Sequence, residues 1–352
     1  MRQRWRTFLA GALVAVMAGC TSDQGSSDGP AASPAPSGDS GGGGSATQPS
    51  GDNPLAGQTL FVNTANPAVS QVAAWEKDKR TADATELKKI GERPNAEWLA
   101  GGGTGVGARV DDLLGKAAAK KQLPVLVAYN VPDRDCGQYS AGGAGSADEY
   151  RQWIRSFAGG IKGRPAVVIL EPDAVAHTLE GCADNATERY AVITDAVNVL
   201  KAAGARVYVD AGHPNWIGDV NKLAGALKNA GIAKADGFSL NVSNFVRTAD
   251  NVTYGDKLSD ALGGKTRYVI DTSRNGAGPY DGGTTVNGGP SWCNPPGRAL
   301  GEAPTVRTGK ERVDAFLWVK RPGESDGACR PGEPPAGTWW PEYALELAKR
   351  SR

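Results

Sequence analysis

The stretch AVVILEPDAVAH, residues 166–177, decides how the rest of the chain is read. Residues 166–170 are apolar at every position, with no alternation between two faces. A strand of that kind is buried on both sides, as in a parallel sheet covered by helices. It runs directly into Glu171, Pro172 and Asp173. Carboxylates at the exit of an oily strand are costly unless they are solvated, paired or put to use.

The same design recurs in both directions. Short apolar runs predict strands at 58–63 (QTLFVN), 123–130, 166–172, 205–212, 237–244, 266–273 and 314–320. Helical segments are predicted between them, near 67–80, 107–121, 146–159, 186–203, 219–230 and 251–262, with a last one at 341–350. Seven strands alternating with helices in one domain favour a seven-stranded parallel (β/α) barrel over an open sheet. Polar residues follow nearly every strand: Tyr129, Asn130, Asp133 and Asp135; Glu171 and Asp173; Asp210 and His213; Asn241; Asp271; Lys320, Glu324 and Asp326. In a parallel barrel the C-terminal strand ends open on one face, where active sites lie. A single acid after a strand is ordinarily a helix N-cap. Six polar strand ends on one rim imply a cleft.

Charge and composition narrow the partners. The 352 residues are 40% hydrophobic, enough for one large core or two smaller ones. Lys and Arg number 39 against 38 Asp and Glu, and the lack of a basic surplus argues against a nucleic acid as the main partner. A neutral polymer fits better. Residues 1–20 read as a targeting segment: Arg2, Arg4 and Arg6 precede an apolar stretch at 8–18 that is short for a membrane span. Ala18 and Gly19 before Cys20 resemble a bacterial lipobox, in which Cys20 would carry the lipid; the alternative is a cleaved signal without lipid. Residues 21–53, rich in Ser, Gly, Pro and Ala, read as a disordered tether. As a random coil it would span about 30 Å root-mean-square. The folded domain is expected over 54–352, outside the cell and anchored to the outer face of the membrane. The tether leads back to the targeting segment, so no separate carbohydrate-binding module is expected. Apart from Cys20, the cysteines are Cys136, Cys182, Cys293 and Cys329, and in an exported chain an even number predicts two disulfides. With no CxxC spacing and two histidines, a metal site is disfavoured. No cofactor is expected, and the domain is expected to be a monomer.

The rim carries carboxyl groups beside aromatic rings, Tyr129, Trp98, Trp216 and Trp292. Flat rings stack on sugars while polar groups take the hydroxyls. Glycoside hydrolysis needs two carboxyl functions, one protonated and one ionised. Crowding acids together raises the pKa of one of them, as a general acid at neutral pH requires. Trp75, Trp339 and Trp340 read as packing, Glu171 as structural and His177 as locally bonded, while Arg274 either touches the cleft or braces a carboxylate.

The segments YNVPDRDC (129–136), ILEPDAV (169–175), YVDAGHPNW (208–216), NVSN (241–244), VIDTSRNG (269–276), WCNPPGRALG (292–301) and WVKRPGESDGAC (318–329) resemble, in order, glycoside hydrolase family 6, the inverting cellulases. The resemblance covers the chain from about residue 56 to its end, and it is closest to the bacterial endoglucanases. It implies a distorted, TIM-like barrel with seven parallel strands. It makes Asp173 the general acid, Asp135 its neighbour that keeps it protonated, and Asp326 the proposed general base, directly or through water. Tyr129 then lies under the distorted sugar and Ser140 helps hold the attacking water. Asp210, His213, Trp216, Asn241, Trp292, Lys320 and Glu324 match sugar-binding positions, and Trp98 matches a stacking residue on the non-reducing side. Asp133 and Arg321 depart from the family pattern and receive no role. The resemblance also pairs Cys136 with Cys182 and Cys293 with Cys329. The short interval after Cys136 and the strand within 294–328 leave no room for a long tunnel lid, which favours an open cleft and internal cuts in β-1,4-glucan. The alternatives are an exo-acting cellobiohydrolase, a hydrolase of another wall polymer, or a non-catalytic glucan-binding lipoprotein; acids at 173, 135 and 326 disfavour the last.

Overall fold

In the computed structural model, which describes residues 53–182 and 185–351, the stretch Val167–Leu170 is a strand buried at every position. The leader with Cys20 and the tether up to residue 52 lie outside the described residues. The elements in chain order are α1 (Pro67–Lys77), α2 (Thr81–Gly91), β1 (Glu97–Leu99), α3 (Val106–Ala119), β2 (Val125–Ala128), α4 (Ala147–Ile161), β3 (Val167–Leu170), α5 (Ala174–Leu179) and α6 (Ala186–Ala202). There follow β4 (Arg206–Asp210), α7 (Val220–Asn229), β5 (Gly237–Leu240), α8 (Thr248–Ala261), β6 (Arg267–Asp271), the small hairpin β7 (Thr285–Val286) and β8 (Gly289–Pro290), β9 (Val313–Leu317) and α9 (Pro341–Arg350). Seven strands form one sheet in the order β1-β2-β3-β4-β5-β6-β9, every pair parallel.

The pleat explains the unbroken apolar runs. Val125, Val127, Val167, Ile169, Tyr208, Val269, Ala315 and Leu317 belong to one core, inside the barrel. Their chain neighbours Leu126, Val168, Leu170, Val207, Val209 and Ile270, with Phe238 of β5, belong to a second, under the helices. Each large aliphatic or aromatic side chain so buried contributes about 1.5–3 kcal/mol, and buried polar residues on these strands, such as Ser239 and Asp314, are hydrogen-bonded. The sheet curls until its edges meet: Ala96 N donates to Trp318 O at 2.9 Å, and Trp98 Nε1 donates to Val319 O at 2.7 Å. A third cluster, including Trp75, Trp318 and Tyr343, packs α1, α2 and α9 outside this seam, with Trp339 and Trp340 half-buried against it.

Two expectations need correction. The apolar run at 58–63 is not a barrel strand; it makes one bridge, Leu60 to Leu123, after which Val62 N turns to the side chain of Gln122. The remaining strand is β1, three residues between Pro94 and a run of glycines, too short to show a period. The helix expected over 67–80 stops at Lys77, where Lys79 takes a positive φ of 61°, and α2 starts afresh at Thr81. Among the described residues no helix is long and apolar enough to cross a membrane.

Candidate active site

The C-terminal strand ends surround a groove of about 940 Å³. Strand-end acids divide into two sets according to what they face. Glu171, Asp210 and Asp271 are buried and accept main-chain N–H groups. Glu171 takes Asn130 N and Val131 N, each at 3.0 Å, and so fixes the exit of β2. Asp271 takes Ser243 N, Ser273 N, Val319 N and Lys320 N, stitching the exits of β5, β6 and β9. Asp210 neither reaches the groove wall nor bonds His213; it accepts the N–H of Asp173 at 2.9 Å, that of Gly212 at 3.1 Å and the hydroxyl of Ser239 at 3.1 Å. Asn241 is likewise buried, donating to Asp271 O and accepting from Val246 N. An acid at a strand end thus satisfies backbone donors that a parallel sheet leaves open at its edge.

Asp135, Asp173, Glu324 and Asp326 form the second set and line the groove. Asp173 begins α5 with a left-handed φ of 71°. Burial pushes its carboxyl well above the usual range, and the nearby charges of Asp210 and Asp135 push it further. Burial raises Asp210 to about 6, against the pull of the N–H groups it accepts. Asp135 is also raised by burial, with Ser140 N, donating at 2.6 Å, and Arg134 opposing. The cluster therefore favours a proton on Asp173.

Asp326 has the opposite surroundings. Burial alone would raise it, but Arg274 and Lys320 outweigh that and hold it below its ordinary value. Arg274 Nη1 donates to Oδ2 at 2.9 Å, Asn294 N donates to the same oxygen at 3.0 Å, and Lys320 Nζ lies 3.5 Å from Oδ1. Arg274 is fully buried, so it braces the carboxylate from below rather than touching the cleft.

Aromatic rings complete the walls. Tyr129 is buried, edge-on to Trp98 at 5.2 Å. Trp216 is half-buried, packed against His177 at 5.1 Å and His213 at 5.9 Å, and burial lowers both imidazoles to about 4, leaving them neutral. Trp292 is 43% exposed and meets Tyr139, 40% exposed, at 5.8 Å. Ser140, Lys320 and Glu324 line the groove as well. Sequence reasoning passed over Tyr139 and Arg134. Arg134 donates to Tyr129 O at 2.9 Å, Ser140 O at 2.8 Å and Ala141 O at 3.1 Å, with its guanidinium 4.7 Å from the Tyr129 ring centre. Its place inside DRDC was the available signal; for Tyr139, an aromatic in a Gly/Ser loop was another.

Disulfides join Cys136 to Cys182 and Cys293 to Cys329, with Cα–Cα distances of 5.9 and 6.4 Å. The first anchors the loop after Asp135 to the far end of α5, and the second ties the loop carrying Trp292 to the one carrying Asp326. Among the described residues, two groups of side chains lie close enough to share a metal ion, Cys136–His177–Cys182 and Cys293–Cys329–Glu333, and in both the cysteines are disulfide-bonded.

This architecture has relatives. Endoglucanase A of Cellulomonas fimi is 45% identical over 289 residues, 82% of this chain and 61% of that protein. Endoglucanase 1 of Streptomyces halstedii is 44% identical over 268 residues, 73% of this chain and 79% of that one. The chain spans about three fifths of the length of Endoglucanase A from Cellulomonas fimi and from Thermobispora bispora. Among solved structures, the endoglucanase Cel6 from Mycobacterium tuberculosis, in complex with methyl-cellobiosyl-4-deoxy-4-thio-β-D-cellobioside, superposes with a TM-score of 0.77 at 42% identity, covering 85% of this chain and 99% of that one. The sequence model described as "Glycosyl hydrolases family 6" matches residues 55–351, and the chain belongs to that family.

Proposed function

We propose that the chain hydrolyses internal β-1,4-glucosidic bonds of cellulose or a related β-glucan, with inversion at the anomeric carbon. One observation carries the reading: a single groove holds Asp173, whose neighbours favour its proton, and Asp326, whose neighbours favour its charge. Glycoside hydrolysis uses that division of labour. Asp173 protonates the departing oxygen as the bond to the anomeric carbon breaks. Water adds from the opposite face and gives its proton to Asp326, directly or through a second water. Arg274 and Asn294 both occupy Oδ2, so Oδ1 is the oxygen better placed to receive it. Asp135 and Ser140 steer the water, and Tyr129 supports the sugar that distorts. Trp98, Trp216 and Trp292 offer stacking surfaces, with His213, Lys320 and Glu324 beside them for hydroxyls. Asp210 and Asn241 act from behind, through the backbone they hold. The endoglucanase names of relatives at 41–45% identity support the substrate class and the internal mode.

The short loop at 137–145, closed by the Ser146 cap of α4, further supports an open cleft. A second reading, release of short products from chain ends, is favoured by the contact between Tyr139 and Trp292, which come from different loops and meet at the groove. Viscometry separates the two. For internal cutting, the viscosity of carboxymethylcellulose falls faster than reducing ends appear. Proton NMR of the first product should show the α-anomer; a β-anomer overturns inversion. For the segments outside the described residues, we propose a signal at 1–20 with lipidation on Cys20, and a tether at 21–53 that holds a monomeric domain (54–352) outside the cell, where its polymer is found.

A further inference from the structure

We propose that Arg321 is a positioning residue that holds Glu324 and the Trp98 strand at the groove wall, and so sets affinity for the glucose units bound there without taking part in bond cleavage. The inference rests on the glucan reading above. Arg321 follows β9, and its Nη1 pairs with Glu324 while Nη2 lies 3.1 Å from Glu97 Oε2. Glu97 directly precedes Trp98 on β1, and its other oxygen accepts from Asn63 Nδ2 at 2.7 Å. One guanidinium thus ties the two edge strands of the barrel where main-chain pairing between them runs out. Trp98, Lys320, Arg321 and Glu324 all line the groove beside this tie.

The three charged side chains are only 11–13% exposed, so water screens them poorly. Two carboxylates sharing one cation in such surroundings depend on it. Without Arg321 they repel, and one must swing away or take a proton. Lys320 is no substitute, because its ammonium donates to Ser325 O at 2.9 Å and lies 3.5 Å from Asp326. The ion pairs of Arg321 go to Glu97 and Glu324 rather than to Asp173, Asp135 or Asp326, so its loss leaves the proton-transfer groups in place.

The test is steady-state kinetics on cellopentaose with thermal melts, for wild type, Arg321→Leu, Arg321→Lys and Glu97→Gln. Arg321→Leu should raise KM about tenfold while kcat stays within about twofold, the scale of losing a charge-assisted hydrogen bond at a binding wall. Arg321→Lys should recover part of the affinity, since an ammonium lacks the forked geometry that meets two carboxylates. Glu97→Gln, which leaves the Glu324 arm intact, should fall between. A purely structural role would lower Tm, and kcat with it, while KM held; that result overturns the proposal. So does a KM within about twofold of wild type in Arg321→Leu or, should that variant not fold, in both Arg321→Lys and Glu97→Gln. A wild type inactive on every β-1,4-glucan overturns the glucan reading itself, and this inference with it.

Discussion

Asp173 takes a left-handed backbone with φ 71°, and its own N–H is held by Asp210. Asn adopts that conformation readily and most other side chains do not. Asp173→Asn is therefore the clean test of the proposed proton donor. It should lower kcat by about 10²–10⁴-fold with an unchanged melting temperature, whereas Ala adds backbone strain. Binding of cellotetraose to Asp173→Asn by calorimetry should remain near the wild-type KM. The pH dependence follows from the same surroundings. Asp173 is raised, so activity falls at high pH when it loses its proton; Asp326 is lowered, so activity falls at low pH when it gains one. The profile of kcat/KM should be a bell with widely spaced arms, and the amide at 173 should abolish the dependence on its proton. The groove acids were legible as motifs because each lies in a short polar run after an apolar strand. The fate of Asp210 was not: a carboxyl that collects backbone N–H groups and one that meets a sugar look alike in a sequence. Which side of the strand exit each faces is decided by local twist and by φ.

Among elements, the loop after β2 carries two of the groups proposed to act, Asp135 and Ser140. Arg134 chelates three of its carbonyl oxygens, Asp135 caps Ser140 N, and the disulfide to Cys182 anchors it to α5. Replacing Cys136 and Cys182 by Ser releases that anchor. With a sequence separation of 46 between the cysteines, the loss in stability is on the order of 4 kcal/mol in the chain-entropy limit. A misplaced Ser140 and Asp135 should lower kcat by on the order of tenfold to a hundredfold. A melting curve alongside kcat at a temperature where the variant stays folded separates the two effects. Helices were the most legible elements, because α3, α4, α6, α7 and α9 carry caps or apolar faces that a window of residues displays. The strand β1 was not, since three residues cannot show a period, while QTLFVN has the composition of a strand without a neighbour to pair along its length. Composition reports burial, and Leu60 and Phe61 are buried; pairing depends on where the chain goes next.

For the whole molecule, buried carboxyls set how stability varies with pH. Burial brings Glu171 to about 7 and Asp210 to about 6, both above their unfolded values. Their contribution is full below about pH 4 and is lost as pH rises through those folded values. Asp326 runs the other way: lowered in the fold, it contributes above its unfolded value and loses that contribution in acid. His177 and His213, lowered to about 4 in the fold, run with Asp326 and oppose the raised carboxyls, so the carboxyl contribution is read by difference: as pH rises from 4 to 8, Glu171→Gln should lose less melting temperature, or gain more, than the wild type does. Barrel class and strand number were readable from the alternation of apolar runs and helices, yet not how the ring closes. Among the described residues, the edge strands share one main-chain hydrogen bond, Ala96 to Trp318, reinforced by Trp98 and Arg321. A cylinder fastened by a single clasp has a preferred place to breathe, and here the clasp lies next to the proposed stacking platform at Trp98. Loosening it would slacken the grip on a bound polymer before it disturbed the acids, so release of the chain and strength of the ring are two aspects of one joint.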